Sequence, residues 1–294
     1  MIQLLGANDW SDYELIDCGS FEKLERFGSY ILARPEPQAV WPKSLSDEEW
    51  QSQAHAQFKR DKTNPEKGNW TFIKKMPEQW FIGYKHEALN LRFRLGLTAF
   101  KHVGLFPEQS ENWKYIFQKV QAQKQSKVLN LFAYTGGASL AAKNAGADVV
   151  HVDSVKQVVN WSRENMEASG LKDIRWVVED ALKFVKREAK RGNKYTGIIL
   201  DPPAYGRGPD GEKWILEDMI NELVSTCAQI IEPTNAFIVF NMYSMGLSYL
   251  VMQNLAKLHF KHIGAEEMGE LYVSDRFEKK LPLGTYFRFE TKNP

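Results

Sequence analysis

From Lys127 onward the chain alternates short, mostly apolar runs that read as buried strands with amphipathic stretches, and few patterns constrain a fold as tightly. "KVLNLF" leads into "ASLAAKNA", which stops at Gly146; "DVVHV" leads into a helical stretch that Ser154 would cap and Gly170 would end. "IRWVVE", "ALKFVKREAKR", "YTGIIL", a long helix over about 214–231 and "AFIVFN" continue the series. A strand apolar at every position is buried on both faces, and parallel neighbours in one sheet are joined by helical crossovers. The series therefore predicts an α/β fold, a parallel sheet with helices on both sides. The last runs, "AEEMGELYVSD" and "PLGTYFRFE", read as a closing antiparallel pair.

Before about residue 110 the texture differs. "GSYILAR", "NWTFIKK", "QWFIGY" and "LNLRFRLGL" are short, rich in β-branched and aromatic residues and cut by Gly and Pro, which predicts a small, mostly antiparallel β unit. Within it "LSDEEWQSQAHAQFKRD" reads as a helix with Ser46 as N-cap and Glu49 completing a capping box. "GLFPEQSENWKYIFQKVQAQKQ" reads as a connecting helix capped by Ser110. The expected organisation is a small β-rich domain over 1–105, a connecting segment over 106–125 and the α/β domain over 126–294. With 294 residues the chain is long enough for both cores.

Composition narrows the function by exclusion. A formal net charge of +1 argues against a protein that coats nucleic acid electrostatically, though a local basic face fits within it. The two cysteines, Cys18 and Cys227, form no metal-ligand spacing, so no metal site is expected. No apolar run approaches the roughly 20 residues of a membrane span, and the first residues carry no basic, apolar leader pattern. The expectation is a cytoplasmic protein without a membrane partner.

In open α/β sheets ligands lie at the carboxyl ends of the strands, near the point where strand order reverses. The first strand is followed by "AYTGGAS", where Gly136 and Gly137 allow a tight turn and a close ligand at a helix N-terminus. Asp153 ends the second strand, about twenty residues on, where a carboxylate can take both ribose hydroxyls of a nucleoside. Asp180 ends the third and Asp201 the fourth. Each has a plainer reading: a turn, a helix-start acid at Asp153, an N-cap at Asp180. Four consecutive strand ends of this kind describe one nucleoside pocket. The G-x-G-x-x-G fingerprint of a dinucleotide oxidoreductase is missing from "YTGGAS".

The fourth strand runs into "DPPAYGRG". Two prolines cannot continue a sheet ladder or a helix, so the chain leaves regular structure at once and holds Asp201 at a rigid corner. "LNLFAYTGGASLAAKNAGADVVHVDSVKQVVNWSRENMEASGL" followed by "DPPAYGRG" resembles the class I S-adenosylmethionine-dependent methyltransferases, in particular the bacterial group that modifies cytosine and guanine of large-subunit ribosomal RNA. The resemblance covers about residues 100–290. It implies a Rossmann-like sheet, S-adenosylmethionine as cofactor and ribosomal RNA as partner, with 1–105 a substrate-side domain. It further implies that Phe132, Ala133, Tyr134, Thr135, Gly136 and Gly137 line the methionine side of the cofactor, that Asp153 with Ser154 beside it binds the ribose, and that Asp180 and Ala181 meet the adenine edge. Gln109 of "GLFPEQSENW" would touch the cofactor from a lid side, and Asp201 borders it. Asn130 stands where family members often carry an acid.

At the corner the resemblance implies amine chemistry. An exocyclic amine is a poor nucleophile because its lone pair is delocalised into the ring. Asp201 and the carbonyl of Pro202 can accept its two N–H bonds and direct the lone pair at the methyl group. Tyr205 can stack on the base and Arg207 can meet a phosphate, the Gly-Arg-Gly stretch closing behind as a flexible loop; a structural Asp-Pro turn with Tyr205 in the core is the plainer alternative. Relatives that methylate cytosine C5 need a cysteine thiolate after the fifth strand, where this chain has "FNMYSMG". Two basic stretches remain, "KFVKREAKRGNK" as a solvated helix face and 59–127 as an RNA surface interleaved with Trp70, Phe72, Trp80 and Tyr84, or else an aromatic β core. The leading expectation is a methyltransferase acting on a nitrogen of a ribosomal RNA base. A small-molecule or protein methyltransferase and a non-catalytic nucleotide-binding module are the alternatives.

Overall fold

A computed structural model describes residues 2–61, 67–242 and 248–292. The chain divides into two compact units: Gly6–Glu108 with Tyr272–Leu283 form the smaller, and the larger takes Gln109–Leu271 and both ends of the chain, up to Leu5 and from Gly284. Both units are discontinuous in sequence. The first strand, β1 (Ile2–Gly6), pairs in the larger unit's sheet, and the two closing strands, each 12 residues long, contribute to both units.

In the smaller unit β2 (Tyr13–Gly19), β3 (Glu22–Phe27), β4 (Tyr30–Pro35), β5 (Ala56–Arg60) and β6 (Gly68–Phe72) form one sheet in sequence order. All neighbours are antiparallel except β4 and β5, whose parallel pairing requires a crossover. That crossover carries α1 (Asp47–Gln53), started by the expected Ser46–Glu49 capping box and burying Trp50 against Ile16, Leu24 and Ala33. A second antiparallel pair, β7 (Gln79–His86) with β8 (Leu89–Gly96), buries Trp80, Ile82 and Tyr84 on one face. Trp80 and Tyr84 are thus core residues rather than part of an RNA surface, while Phe72 is exposed.

A 3-10 turn at Pro107–Gln109 runs straight into α2 (Ser110–Gln121) of the larger unit. Gln109, itself in helical conformation, occupies the cap position without a side-chain capping bond, so Ser110 is not the cap. There follow β9 (Lys127–Leu131), α3 (Gly137–Asn144), β10 (Asp148–Asp153), α4 (Lys156–Ala168), β11 (Ile174–Val178), α5 (Ala181–Lys190) and β12 (Gly197–Leu200). A short hairpin, β13 (Tyr205–Arg207) and β14 (Lys213–Ile215), precedes α6 (Leu216–Ile230), β15 (Phe237–Met242), α7 (Tyr249–His259), β16 (Ile263–Ser274) and β17 (Lys280–Thr291). The sheet order is β1-β16-β17-β15-β12-β9-β10-β11. Its five strands from β15 to β11 are parallel, as the apolar runs require, and β17 is antiparallel to β15. The order reverses between β9 and β12, both wholly apolar at their carboxyl ends. This is the Rossmann-like sheet expected, with α6 beginning two residues after Trp214 because Lys213–Ile215 are held in the hairpin.

Candidate active site

Register places the site. Leu131, the last residue of β9, pairs with Val152 of β10 on one side and Leu200 of β12 on the other. The residues that follow, Phe132, Asp153 and Asp201, therefore leave three adjacent strands at one level, at the reversal in strand order. Phe132 and Tyr134 both adopt the left-handed conformation, with φ of 54° and 49°, and Gly136 follows with 92°. Each non-glycine residue held there costs about 1 kcal/mol or more, so such a turn persists only if its surroundings fix it.

The surroundings do fix it. Ala133 N donates to Val152 O at 3.1 Å and Tyr134 N to Asp153 Oδ2 at 2.9 Å. From α4, Ser162 Oγ donates to Tyr134 O at 2.7 Å and Asn165 Nδ2 to Thr135 O at 2.9 Å. Behind the turn lies a buried polar chain: Asn130 Nδ2 donates to Ser139 Oγ at 2.9 Å, Ser139 Oγ lies 3.0 Å from His151 Nδ1, and His151 Nε2 lies 3.4 Å from Ser162 Oγ. Burial pushes the His151 imidazole down to about 3, so the ring is neutral and shares its single N–H within this chain. Asn130 is thus part of the turn's support. Gly136 supplies the left-handed residue, but Gly137 serves packing: a Cβ there would come within 2.4 Å of the Trp113 ring of α2.

Asp153 uses one oxygen for Tyr134 N and the other, Oδ1, for Val155 N at 2.9 Å; burial pushes its carboxyl up, opposed by these backbone bonds. Val155 takes the cap position of α4, so Ser154 is not the cap but sits half-buried between Asp153 and the helix. Asp180 is buried and caps α5, Oδ1 accepting from Lys183 N at 2.8 Å, with Ala181 buried next to it. Glu179 N donates to Asp153 O at 3.2 Å, tying the ends of β10 and β11 together. Gln109 lies at the start of α2, where Oε1 accepts from Asn112 Nδ2 at 2.7 Å and Asn112 Oδ1 accepts from Arg288 Nε at 2.8 Å. Among the described residues no hydrogen bond joins Gln109 to the strand-end acids.

The corner after β12 is braced from the hairpin. Trp214, fully buried on β14, donates its Nε1–H to Pro203 O at 2.7 Å and packs its ring against Phe132, centroids 4.8 Å apart; Leu216 N donates to Ala204 O at 3.0 Å. One side chain, not foreseen from sequence, thereby links the corner to the glycine turn. The Gly-Arg-Gly stretch is strand rather than loose loop, pairing Tyr205 with Ile215, Gly206 with Trp214 and Arg207 with Lys213. Pairing and the period-2 pleat put Tyr205, Arg207, Lys213 and Ile215 on the face opposite Trp214, and all four are exposed. Tyr205, 54% exposed, is not a core residue. Pro202 is buried, and Asp201 Oδ1 accepts from Asn241 Nδ2 at 2.7 Å. Burial pushes the Asp201 carboxyl above its ordinary range, with that amide bond pulling the other way.

Neither cysteine is at this site. Cys18 is buried in β2 near Asp275, its thiol pushed up to about 12 by burial, and Cys227 is buried in α6 with its thiol raised further. All of "YSMG", where a cytosine C5 enzyme would hold its nucleophile, lies outside the described residues. In the basic run of α5, Lys183 pairs with Asp210 and Glu212, Lys186 with Glu222, Arg187 with Glu179 and Arg191 with Glu188, a solvated, ion-paired face. Among the described residues no helix is long and apolar enough to cross a membrane, and no cluster of three His, Cys, Asp or Glu side chains is placed to hold a metal ion.

The profile of the S-adenosylmethionine-dependent methyltransferase family matches residues 55–261. The solved structure of a SAM-dependent methyltransferase from Agrobacterium tumefaciens is similar with a TM-score of 0.89 and 37% identity, over 99% of this chain and 94% of that one. SMU.776, a methyltransferase solved in complex with SAH, is similar in fold with a TM-score of 0.72 and 16% identity, over 96% of this chain and 76% of its own. Among curated proteins, ribosomal RNA large subunit methyltransferase K/L of Shewanella frigidimarina is 30% identical over 159 residues, 53% of this chain and 22% of that protein. The protein of that name from Pseudoalteromonas atlantica is 27% identical over 194 residues, 65% of this chain and 25% of that one. This chain thus spans about a quarter or less of the length of those curated relatives. With the profile spanning most of the chain and a whole-length structural counterpart of the same kind, the chain belongs to the S-adenosylmethionine-dependent methyltransferase family and uses S-adenosylmethionine as its cofactor.

Proposed function

We propose that this enzyme methylates a nitrogen of a ribosomal RNA base, with Asp201, Pro202 and Tyr205 at the acceptor side. The cofactor fits the strand ends on one observation: Asp153 is fastened through both oxygens to backbone N–H groups, yet each oxygen keeps a further acceptor site for a vicinal diol. Phe132 to Gly137 would then border the methionine end, Asp153 and Ser154 the ribose, Asp180 and Ala181 the adenine, with Gln109 on the opposite side. When bound, S-adenosylmethionine supplies an electrophilic methyl group on a sulfonium. The chain's own part is to align a nucleophile and keep water away from it. Asp201 Oδ2, the oxygen that Asn241 leaves free, and the Pro202 carbonyl accept the two N–H bonds of an amine, which turns its lone pair outward and favours positive charge on nitrogen.

The observation that carries the RNA reading is the outer face of the β13–β14 hairpin. It sets an exposed aromatic and an apolar side chain, Tyr205 and Ile215, next to two cations, Arg207 and Lys213, directly after the corner. A base stacks on the first pair while its backbone phosphates meet the second. The ribosomal RNA methyltransferases named above support the same acceptor class, and a bacterial RNA of that kind puts the enzyme in the cytoplasm. The test is to incubate the protein with methyl-labelled S-adenosylmethionine and separate RNA, protein and metabolite pools. Label is expected in ribosomal RNA and lost in Asp201→Asn; label in the protein or metabolite pool instead would replace this reading.

A further inference from the structure

Asn241, the fifth residue of β15, holds Asp201 and is left with an unusual remainder. Its Nδ2–H is directed at Asp201 Oδ1 over 2.7 Å. That fixes which way the amide faces, because the alternative sets a carbonyl oxygen against a carboxylate. The amide oxygen, Oδ1, then points away, and among the described residues it is buried without a hydrogen-bond partner, in a residue only 1% exposed. An orphaned buried acceptor destabilises a fold, and a purely structural amide in a sheet has no need of one. The side toward β17 is clear as well: Gly284 lies there, and a Cβ built on it would stand 3.6 Å from Oδ1. Of the other residues around the carboxylate, Leu131 and Leu200 are apolar and Pro202 offers only a carbonyl. Among the described residues no charged side chain bears on Asp201, whose carboxyl feels burial and the Asn241 amide.

We propose that Asn241 is a binding and positioning residue for methyl transfer: Nδ2 fixes the carboxylate of Asp201, and Oδ1 is a further acceptor for an N–H of the substrate base other than the two that Asp201 Oδ2 and the Pro202 carbonyl take. The proposal rests on the reading of Asp201 given above. It adds an acceptor on β15, Asn241 Oδ1, to the two that follow β12, Asp201 Oδ2 and Pro202 O. Such a set selects substrate nitrogens that present N–H donors and rejects nucleophiles that carry only lone pairs, since these would leave a buried oxygen unmatched.

The pair is tested first in the protein alone. With 13C-carboxyl-labelled aspartate, and the Asp201 signal identified by its absence in Asp201→Asn, the titration of Asp201 is followed in wild-type, Asn241→Asp and Asn241→Ala. Asn241→Asp keeps the shape and sets two carboxyl groups together, so Asp201 should titrate about 1 pH unit or more higher, in coupled steps. Asn241→Ala should move it in the same direction by less. With RNA substrate, Asn241→Ala should slow single-turnover methylation about tenfold or more while SAH affinity stays within about twofold. An unmoved Asp201 titration in folded Asn241→Asp would overturn the proposal, as would a normal single-turnover rate in Asn241→Ala. If the titration responds but Asp201→Asn methylates at the wild-type rate, the pair survives as a contact only, and its role in transfer is overturned along with the reading of Asp201.

Discussion

Asp153 and Asp201 end neighbouring strands of one pocket, and both carboxyl groups are pushed up by burial, yet they spend their oxygens differently. Asp153 gives each oxygen to a backbone N–H and so builds the turn it serves. Replacing it with alanine removes those anchors and the diol acceptor together, and a lost charged hydrogen bond is worth about 1.5–3 kcal/mol. SAH binding by calorimetry should weaken at least about tenfold. Asp201 has one amide partner and a desolvated remainder. A carboxyl raised in the folded state stabilises the fold while protonated, below its unfolded value, and that contribution is lost as pH rises through the folded value. At neutral pH the ionised group therefore works against folding. Asp201→Asn should melt no lower than wild-type while its single-turnover rate falls about 100-fold, the size of one preorganised electrostatic contact. A variant that melts early yet methylates normally would make the corner structural.

At the scale of elements, the hairpin β13–β14 turns an Asp-Pro-Pro corner into a fixed one. Trp214→Phe keeps the ring against Phe132 but loses the bond to Pro203 O, worth about 0.5–1.5 kcal/mol. The melting temperature should drop by a few degrees, about 2–4 °C per kcal/mol at this size, and turnover should fall more than cofactor affinity. The hairpin was illegible in sequence because Gly-Arg-Gly and Pro-Asp-Gly read locally as loop, and what pairs them is a tryptophan reaching back to Pro203. The strands were legible because each is an unbroken apolar run, and that same appearance hid Asn130, His151 and Asn241 among their neighbours. Helix starts divided in the same way. The Ser46 box is local and was readable, whereas Ser110 and Ser154 were displaced by a 3-10 turn and by Asp153's reach to Val155. The strand-end acids were readable from position alone, since register turns equal strand ends into neighbours.

For the whole molecule, each unit carries one histidine pushed down to about 3 by burial: His102 in the smaller, with Arg34 and Lys101 adding to the effect, and His151 in the larger. Both are neutral in the fold and titrate near 6.5 when unfolded, so acidification below about pH 6.5 protonates only the unfolded chain. Stability should fall from there toward pH 3 with a slope approaching 1.4 kcal/mol per pH unit for each histidine. Melting curves between pH 7 and 5 should flatten in His151→Gln and separately in His102→Gln; parallel curves would mean that the rings are protonated in the fold. Strand composition tells what an element is, not which sheet will take it, and each unit draws on segments distant in sequence. β1 is an edge strand, and its hydrogen-bonding partner is β16, near the far end of the chain. During synthesis the first strand therefore leaves the ribosome long before its place exists, carrying Ile2 and Leu4 on an unpaired backbone. β1 can pair only once β16 has been made, so a nascent chain stalled short of β16 leaves that strand's hydrogen-bonding edge uncovered.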